Sequence, residues 1–104
     1  MPELFLRISI AELCQSELID QELIVEVVDY GISTPVEGSD KDDWLFDNSG
    51  VHWLKKAIRL YNELEIDWVA VAMIVELLKQ KEQLKYENEQ LHRRLQRFYL
   101  NGTS

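Results

Sequence analysis

A chain of 104 residues, 46% of them hydrophobic, is long enough for one small domain with a core and too short for several. Its net charge of −8 argues against nucleic acid or an anionic membrane as a partner, and its longest apolar stretch, residues 68–75, is too short to span a bilayer. The single Cys14 cannot form an internal disulfide, and residues 1–10 lack the basic start and long apolar run of a signal peptide. We therefore expect a cytoplasmic protein.

The acidic residues are concentrated in the first half of the chain. Twelve of the 19 lie in the first 50 positions, where only Arg7 and Lys41 oppose them, so this half has a formal charge of −10. The half from Val51 onward has nine Lys and Arg against seven acids, or +2. The front half should therefore repel a polyanion such as DNA and attract a basic protein surface.

Two short helices are predicted in this acidic half. Ser9 and Glu12 form a capping-box pattern, which predicts a helix from Ile10 to about residue 16. Asp20 is the predicted N-cap of a second helix, whose apolar residues recur on one face and which ends at Gly31. Two short helices separated by a few residues are typical of a helix-turn-helix.

Short β-prone segments flank the two helices. Residues 4–8 are one such segment. Residues 32–36 and 44–46 are two more, and the polar, turn-rich run between them predicts a hairpin, the wing of a winged helix. Pro35 restricts its strand to an edge, because proline has no N–H to donate to a ladder.

Two longer helices are predicted to follow. Asp47 or Asn48 caps a third helix, and Asp67 caps a last helix that continues for about thirty residues without Gly or Pro. The predicted architecture is mainly α. A winged helix-turn-helix head with the third helix occupies residues 1–66, and a long C-terminal coiled-coil helix occupies residues 67–100.

The last helix has a heptad pattern typical of a leucine-zipper seam. The d positions are Leu77, Leu84, Leu91 and Phe98, and the a positions are Ile74, Lys81, Asn88 and Leu95. We predict homodimerisation through this stripe, because about thirty residues of helix at 1.5 Å each outreach a core of this size. The alternative is that the stripe packs onto its own domain. The sequence leaves open whether the paired helices run parallel or antiparallel.

The order of these elements resembles the MerR-like winged helix-turn-helix group. The residues that carry this likeness are Ser9-Ile10-Ala11-Glu12-Leu13-Cys14, Val28-Asp29-Tyr30-Gly31-Ile32 and Pro35. A closer resemblance, over nearly the whole chain, is to the chaperone-modulator family, the CbpM-like proteins. It is carried by Trp44-Leu45-Phe46-Asp47, Ala57-Ile58-Arg59-Leu60, Asn62-Glu63-Leu64, Ile66-Asp67-Trp68, Glu87-Asn88-Glu89 and Arg94-Leu95-Gln96-Arg97-Phe98.

The resemblance implies an inhibitor that binds the J-domain of a DnaJ-like co-chaperone, CbpA, and prevents its productive meeting with Hsp70. J-domains present a basic helix to Hsp70, which an acidic surface can cover. The would-be recognition helix carries acids and no Lys or Arg, which departs from a DNA reader. We therefore predict a partner-binding surface made of Glu12, Glu17, Asp20, Glu22, Glu26 and Asp29, although a solvated face also explains such charges.

Two other functions are compatible with parts of the sequence. One is a MerR-type DNA-binding regulator, for which the best basic patch is Lys55, Lys56 and Arg59. The other is an adaptor coiled coil on which the head is only a cap. The sequence has no zinc-ligand spacing, nucleophile motif or Gly-rich phosphate loop, so we predict no enzyme activity, catalytic residue, metal or cofactor.

Overall fold

The described part of the chain forms four helices and one small sheet. The computed structural model of the chain describes residues 7–102, so most of the β-prone segment predicted at 4–8 lies outside the described residues. In chain order the elements are β1 (Ile8–Ser9), α1 (Ile10–Glu17), α2 (Gln21–Asp29), β2 (Leu45–Phe46), α3 (Asn48–Leu64) and α4 (Trp68–Gly102). The predicted class, a MerR-like winged helix-turn-helix head with a long C-terminal helix, is confirmed.

The helix starts follow the predicted capping residues. The Ser9 hydroxyl accepts a hydrogen bond from the Glu12 amide at 3.2 Å, and the Glu12 carboxylate accepts one from the Ser9 amide at 3.0 Å. These two bonds complete the capping box of α1. Asp20 caps α2, and Leu18, in the left-handed region at φ 56°, separates the two helices. The boundaries of both helices therefore follow the local capping signals.

The wing differs from the predicted hairpin in its strand pairing. Residues 32–36 form no regular strand, and β2 pairs antiparallel with β1, with Ile8 opposite Phe46. The wing itself closes through one bridge between Glu37 and Leu45. Pro35 has no N–H to donate, so a longer ladder cannot extend through it. The regular ladder of β2 is therefore with β1, while the predicted segment retains one hydrogen bond to it, from the Val36 amide to the Leu45 carbonyl at 2.8 Å.

A glycine shapes the tip of the wing. Gly38 has φ +102°, a backbone conformation that side-chain-bearing residues rarely adopt, and a Cβ there would collide with the carbonyl of Asp43. The Asp43 amide donates to the Asp40 carbonyl at 2.8 Å, which closes the turn. The wing is therefore a short, tightly turned loop whose acidic side chains are exposed.

The core lies where α2, β2, α3 and the first turns of α4 meet. Its fully buried side chains come from all four of these elements and from α1. The largest of them are Phe46, Leu13, Ile24, Leu54, Val27, Val71 and Val75. Burial of one such side chain contributes about 1.5–3 kcal/mol, so this cluster is the main source of stability for the head.

The α3–α4 junction positions the start of the long helix. Glu65 ends α3 in the left-handed region at φ 53°, and the Asp67 carboxylate accepts a hydrogen bond from the Ala70 amide at 2.9 Å. Asp67 therefore caps α4, as the sequence predicted. Trp68, Val71 and Val75 are buried against the head.

Lys79 ties α4 to the loop that follows α2. Its ammonium group donates to the Ile32 carbonyl at 3.1 Å and lies 5.5 Å from the centre of the Trp53 ring. From residue 80 onward every described side chain of α4 is exposed except that of Gln90, which is half-buried. The second half of α4 is thus an arm that leaves the head.

The length of α4 raises the question of a membrane span. Among residues 7–102, no helix is both long enough and apolar enough to cross a bilayer. The charged residues between the leucines of α4 account for this result.

Removal of the α3 cap tests whether a local hydrogen bond stabilises the start of that helix. The Asp47 carboxylate accepts a hydrogen bond from the Gly50 amide at 2.7 Å, so Asp47→Ala should lower the free energy of unfolding by about 1 kcal/mol. Urea denaturation followed by circular dichroism measures this change. Asp47→Ser, which retains a capping oxygen, should restore most of the loss. A loss no larger than that of Asp42→Ala, in the exposed wing tip, would contradict the capping role.

Candidate protein-binding site

Helix α2 presents an acidic face opposite its buried face. Ile24 and Val27 are buried against the core, whereas Glu22 and Asp29 are exposed and Glu26 is half-buried. The three acids are spaced i, i+4 and i+7 and therefore share one side of the helix. The described part of α2 has no basic residue, so this side repels phosphate groups.

An open groove runs beside this acidic face. Residues of α2 form one wall, Lys41 of the wing contributes at one end, and Tyr61 and Trp68 contribute aromatic surface from α3 and α4. The complete lining is Asp20, Gln21, Glu22, Leu23, Val25, Glu26, Lys41, Tyr61 and Trp68. The groove combines carboxylates with aromatic rings, a combination that suits a basic side chain with a long apolar stem.

Stacked aromatic rings fix the inner surface of the groove. The Tyr61 and Trp68 rings are nearly parallel at 6°, with their centres 4.1 Å apart. Tyr30, at the end of α2, lies on Trp68 at 6.5 Å and 24°. Trp68 is only 7% exposed, so it supports the groove, while Tyr61 is the half-buried ring that a partner can reach.

The six predicted binding acids are not equivalent in the structure. Asp20, Glu22 and Glu26 line the groove together, and Asp29 continues their face towards the end of α2. Glu12 and Glu17 lie on α1, outside the groove lining.

Both α1 acids already have intramolecular partners. Glu12 completes the capping box with Ser9, and the Glu17 carboxylate lies 3.1 Å from the Lys55 ammonium group. The Asp20 carboxylate also accepts from the Glu22 amide, at 3.3 Å. Glu22, Glu26 and Asp29 are therefore the acids most available to a partner.

The aromatic part of the groove does not follow from the sequence pattern. Tyr61 lies in the predicted third helix, and Trp68 directly follows Asp67, the predicted cap of the last helix. Val25 and Lys41 were not singled out. No sequence spacing relates these residues to α2, because their proximity comes from the packing of α3 and α4 against it.

The basic patch considered for DNA binding lies on the outer face of α3. Lys55 is ion-paired with Glu17, and Arg59 is ion-paired with Glu63 at 3.2 Å. Lys56 has no such ion pair among residues 7–102. Two of the three cations are thus already neutralised locally, which weakens the patch as a phosphate-binding surface.

The heptad stripe of α4 faces away from the head. It lies roughly 150° around the helix from Val71 and Val75, the residues that pack onto the core. Ile74 is half-buried and Asn88 is exposed. The leucines and phenylalanine are more than half exposed: Leu77 63%, Leu84 65%, Leu91 55%, Leu95 52% and Phe98 70%. The stripe therefore does not pack onto its own domain.

Comparison with known proteins identifies relatives along nearly the full chain. Residues 8–93 match the family described as "MerR HTH family regulatory protein". The "Chaperone modulatory protein CbpM" of Pseudomonas putida is 39% identical over 95 residues, which cover 91% of this chain and 93% of the relative. Proteins of the same name from Citrobacter koseri and Salmonella paratyphi A are 36% and 34% identical, over 86% and 94% of this chain and 88% and 96% of the relatives.

The acids of α2 should affect stability differently according to their place along the helix. Asp29 lies in the last turn, where the helix dipole disfavours negative charge, whereas Glu22 lies in the favourable first turn. We expect Asp29→Asn to raise the free energy of unfolding by about 0.5 kcal/mol and Glu22→Gln to lower it by about the same amount. Urea denaturation at low salt measures both, and added salt should reduce the difference. Equal effects of the two variants would contradict this assignment.

Proposed function

We propose a function for the chain from its family: it belongs to the family of the chaperone modulatory protein CbpM, within the MerR helix-turn-helix family. The proposed function is that of a non-enzymatic chaperone modulator of the cytoplasm. Its partner is the J-domain of a DnaJ-like, CbpA-type co-chaperone. The acidic groove beside α2 is the observation that carries this proposal, because it places carboxylates and aromatic rings where a DNA reader needs cations.

The groove suits a basic helix in both charge and shape. Carboxylates of Glu22 and Glu26 pair with Lys or Arg groups, and the half-buried Tyr61 ring lies beneath the apolar stems of those side chains. Asp29 extends the negative face along the axis of α2. Such complementarity accelerates association and selects the partner.

Inhibition follows from occupancy of the J-domain surface. A J-domain uses its basic helix to contact Hsp70, and that helix cannot contact Hsp70 while it lies in the groove. The co-chaperone is therefore prevented from stimulating ATP hydrolysis by Hsp70, with no chemistry on the part of this chain. The described side chains of the groove include the carboxylates and aromatic rings that this steric mechanism requires.

The arm of α4 is the proposed dimerisation element. Its exposed stripe of Leu84, Leu91, Leu95 and Phe98 lies on one side of a helix that has left the head. An isolated helix with an apolar stripe gains stability when a second helix covers that stripe. Asn88, at an a position, restricts the register of the pair. Two heads are thus carried by one coiled coil.

Charge reversal on α2 tests the partner-binding face. The triple variant Glu22→Lys, Glu26→Lys and Asp29→Lys should weaken binding of a purified CbpA-type J-domain by about a hundredfold or more, because attraction becomes repulsion. Isothermal titration calorimetry measures the affinity, and stopped-flow mixing measures the association rate. Added salt should slow association of the unmodified chain.

A charge-matched control separates this face from the net charge of the chain. Glu76→Lys, Glu87→Lys and Glu89→Lys produce the same change in net charge on α4, at exposed positions outside the a and d sets. This control should still bind the J-domain and should still prevent the co-chaperone from stimulating Hsp70. If the α2 variant bound the J-domain as tightly as this control does, the proposed face would be wrong.

Disruption of the stripe tests the dimer independently. Leu84→Glu with Leu91→Glu places charges on an exposed apolar seam, so the variant should be monomeric and should retain the fold of its head. Sedimentation equilibrium measures the mass, and calorimetry checks that J-domain binding persists. An unchanged mass for this variant, or a monomeric unmodified chain at the same concentration, would refute dimerisation through the stripe.

A further inference from the structure

A second charged surface lies on the opposite side of α3 from the acidic groove. Where α3 meets the middle of α4, a cleft is lined by His52, Trp53 and Lys56 of α3 and by Leu78, Lys81, Glu82 and Lys85 of α4. Lys56 and Tyr61 are five residues apart and so point roughly 140° apart around α3. The cleft is therefore separate from the groove assigned to the J-domain.

The lysines of this cleft have no intramolecular counter-ion. Among residues 7–102, the salt bridges join other cations to acids and leave Lys56, Lys81 and Lys85 unpaired. Glu82 is the one carboxylate in the cleft lining. Lys81 is also an a position of the heptad stripe, whereas Lys56 and Lys85 lie outside that stripe. These two unpaired cations close to one anion give the cleft a positive charge on a chain whose net charge is −8.

The inner surface of the cleft is apolar and held in place. Lys79 lies 5.5 Å from the centre of the Trp53 ring and is anchored on the Ile32 carbonyl, while His52 contacts Trp53 edge-on with ring centres 4.7 Å apart. Leu78 adds aliphatic surface from α4. The Trp53 ring is thus fixed between its neighbours and presents a preformed apolar contact.

The size of the cleft limits what it can accept. Its volume is about 250 Å³, which is below the roughly 300–1,000 Å³ typical of pockets for small-molecule ligands. A side chain or two fit in this space, and the rest of the ligand must lie along the lysines. A DNA duplex is a poor match, because three cations neutralise few phosphates while the acids of the head repel the remainder.

We propose that this cleft, the Trp53 cleft, is a second docking site, and that it takes an acidic protein segment carrying an apolar side chain. The apolar side chain lies against Trp53 and Leu78, and flanking carboxylates pair with Lys56 and Lys85. With the J-domain in the acidic groove and an acidic segment in the Trp53 cleft, one head contacts two protein surfaces of opposite charge. The chain thereby joins them in one assembly.

A designed peptide tests the proposal on the intact chain. The probe is a fluorescein-labelled peptide in which a Leu-Phe pair is flanked on each side by three glutamates. Fluorescence anisotropy should show saturable binding that weakens when the glutamates are replaced by glutamines or the Leu-Phe pair by serines. Binding should persist with a J-domain already bound, since the two sites are on different faces.

Charge reversal in the cleft, with a matched control, completes the test. Lys56→Glu with Lys85→Glu should weaken peptide binding by about tenfold or more, whereas Arg93→Glu with Arg97→Glu, further along α4 and equal in charge change, should alter it by less than about twofold. Circular dichroism confirms that both variants are folded.

Several results would overturn the proposal. The first is that the glutamate peptide does not bind the unmodified chain, and the second is that the two variants lose peptide affinity equally. The third is that a duplex oligonucleotide binds more tightly than the peptide. The fourth is that the J-domain displaces the peptide. The last result would leave the J-domain site intact and reject only the separate cleft.

Discussion

The packing of the first turns of α4 onto the head is the contact on which the remaining structure depends. Trp68, Val71 and Val75 are buried there, and Lys79 ties the same helix to the loop after α2. This contact brings an aromatic ring beside the acidic face of α2, fixes the ring of Trp53 from the other side, and sets the direction in which the arm leaves. A change that loosened it would therefore disturb both charged surfaces and the arm together.

The charge of α2 differs from the charge that DNA binding favours, whereas the fold of the head is that of a helix-turn-helix protein. The helix-turn-helix is intact, with its capping box, its turn and its second helix, but that second helix carries acids and no cations. Because phosphate contacts supply much of the affinity for DNA, an acidic α2 is poorly suited to bind a duplex. One scaffold can serve different functions: it can present a helix to a groove in DNA or, as proposed for this chain, to a basic protein surface.

The acidic face also has a cost in stability, which is consistent with the proposed binding role. Glu22 and Glu26, and Glu26 and Asp29, are like charges within one turn, and Asp29 opposes the dipole at the end of α2. No residue in the last turn of the helix compensates with positive charge. In contrast, Glu17 and Glu12 on α1 have intramolecular partners and contribute to the fold. The α1 acids thus have structural partners, whereas the α2 acids of this face are available to another protein.

The sequence by itself determined the features that depend on neighbours along the chain. Capping at Ser9, Asp20, Asp47 and Asp67, the apolar faces of the helices and the heptad stripe all follow from interactions within a few residues. Only the tertiary structure decided that the regular ladder of β2 is with β1 and not with residues 32–36, and that Tyr61 and Trp68 lie beside α2. It likewise decided that Glu17 is taken by Lys55. These contacts join residues more than 30 positions apart, and their geometry is set by how whole helices pack, which no local spacing encodes.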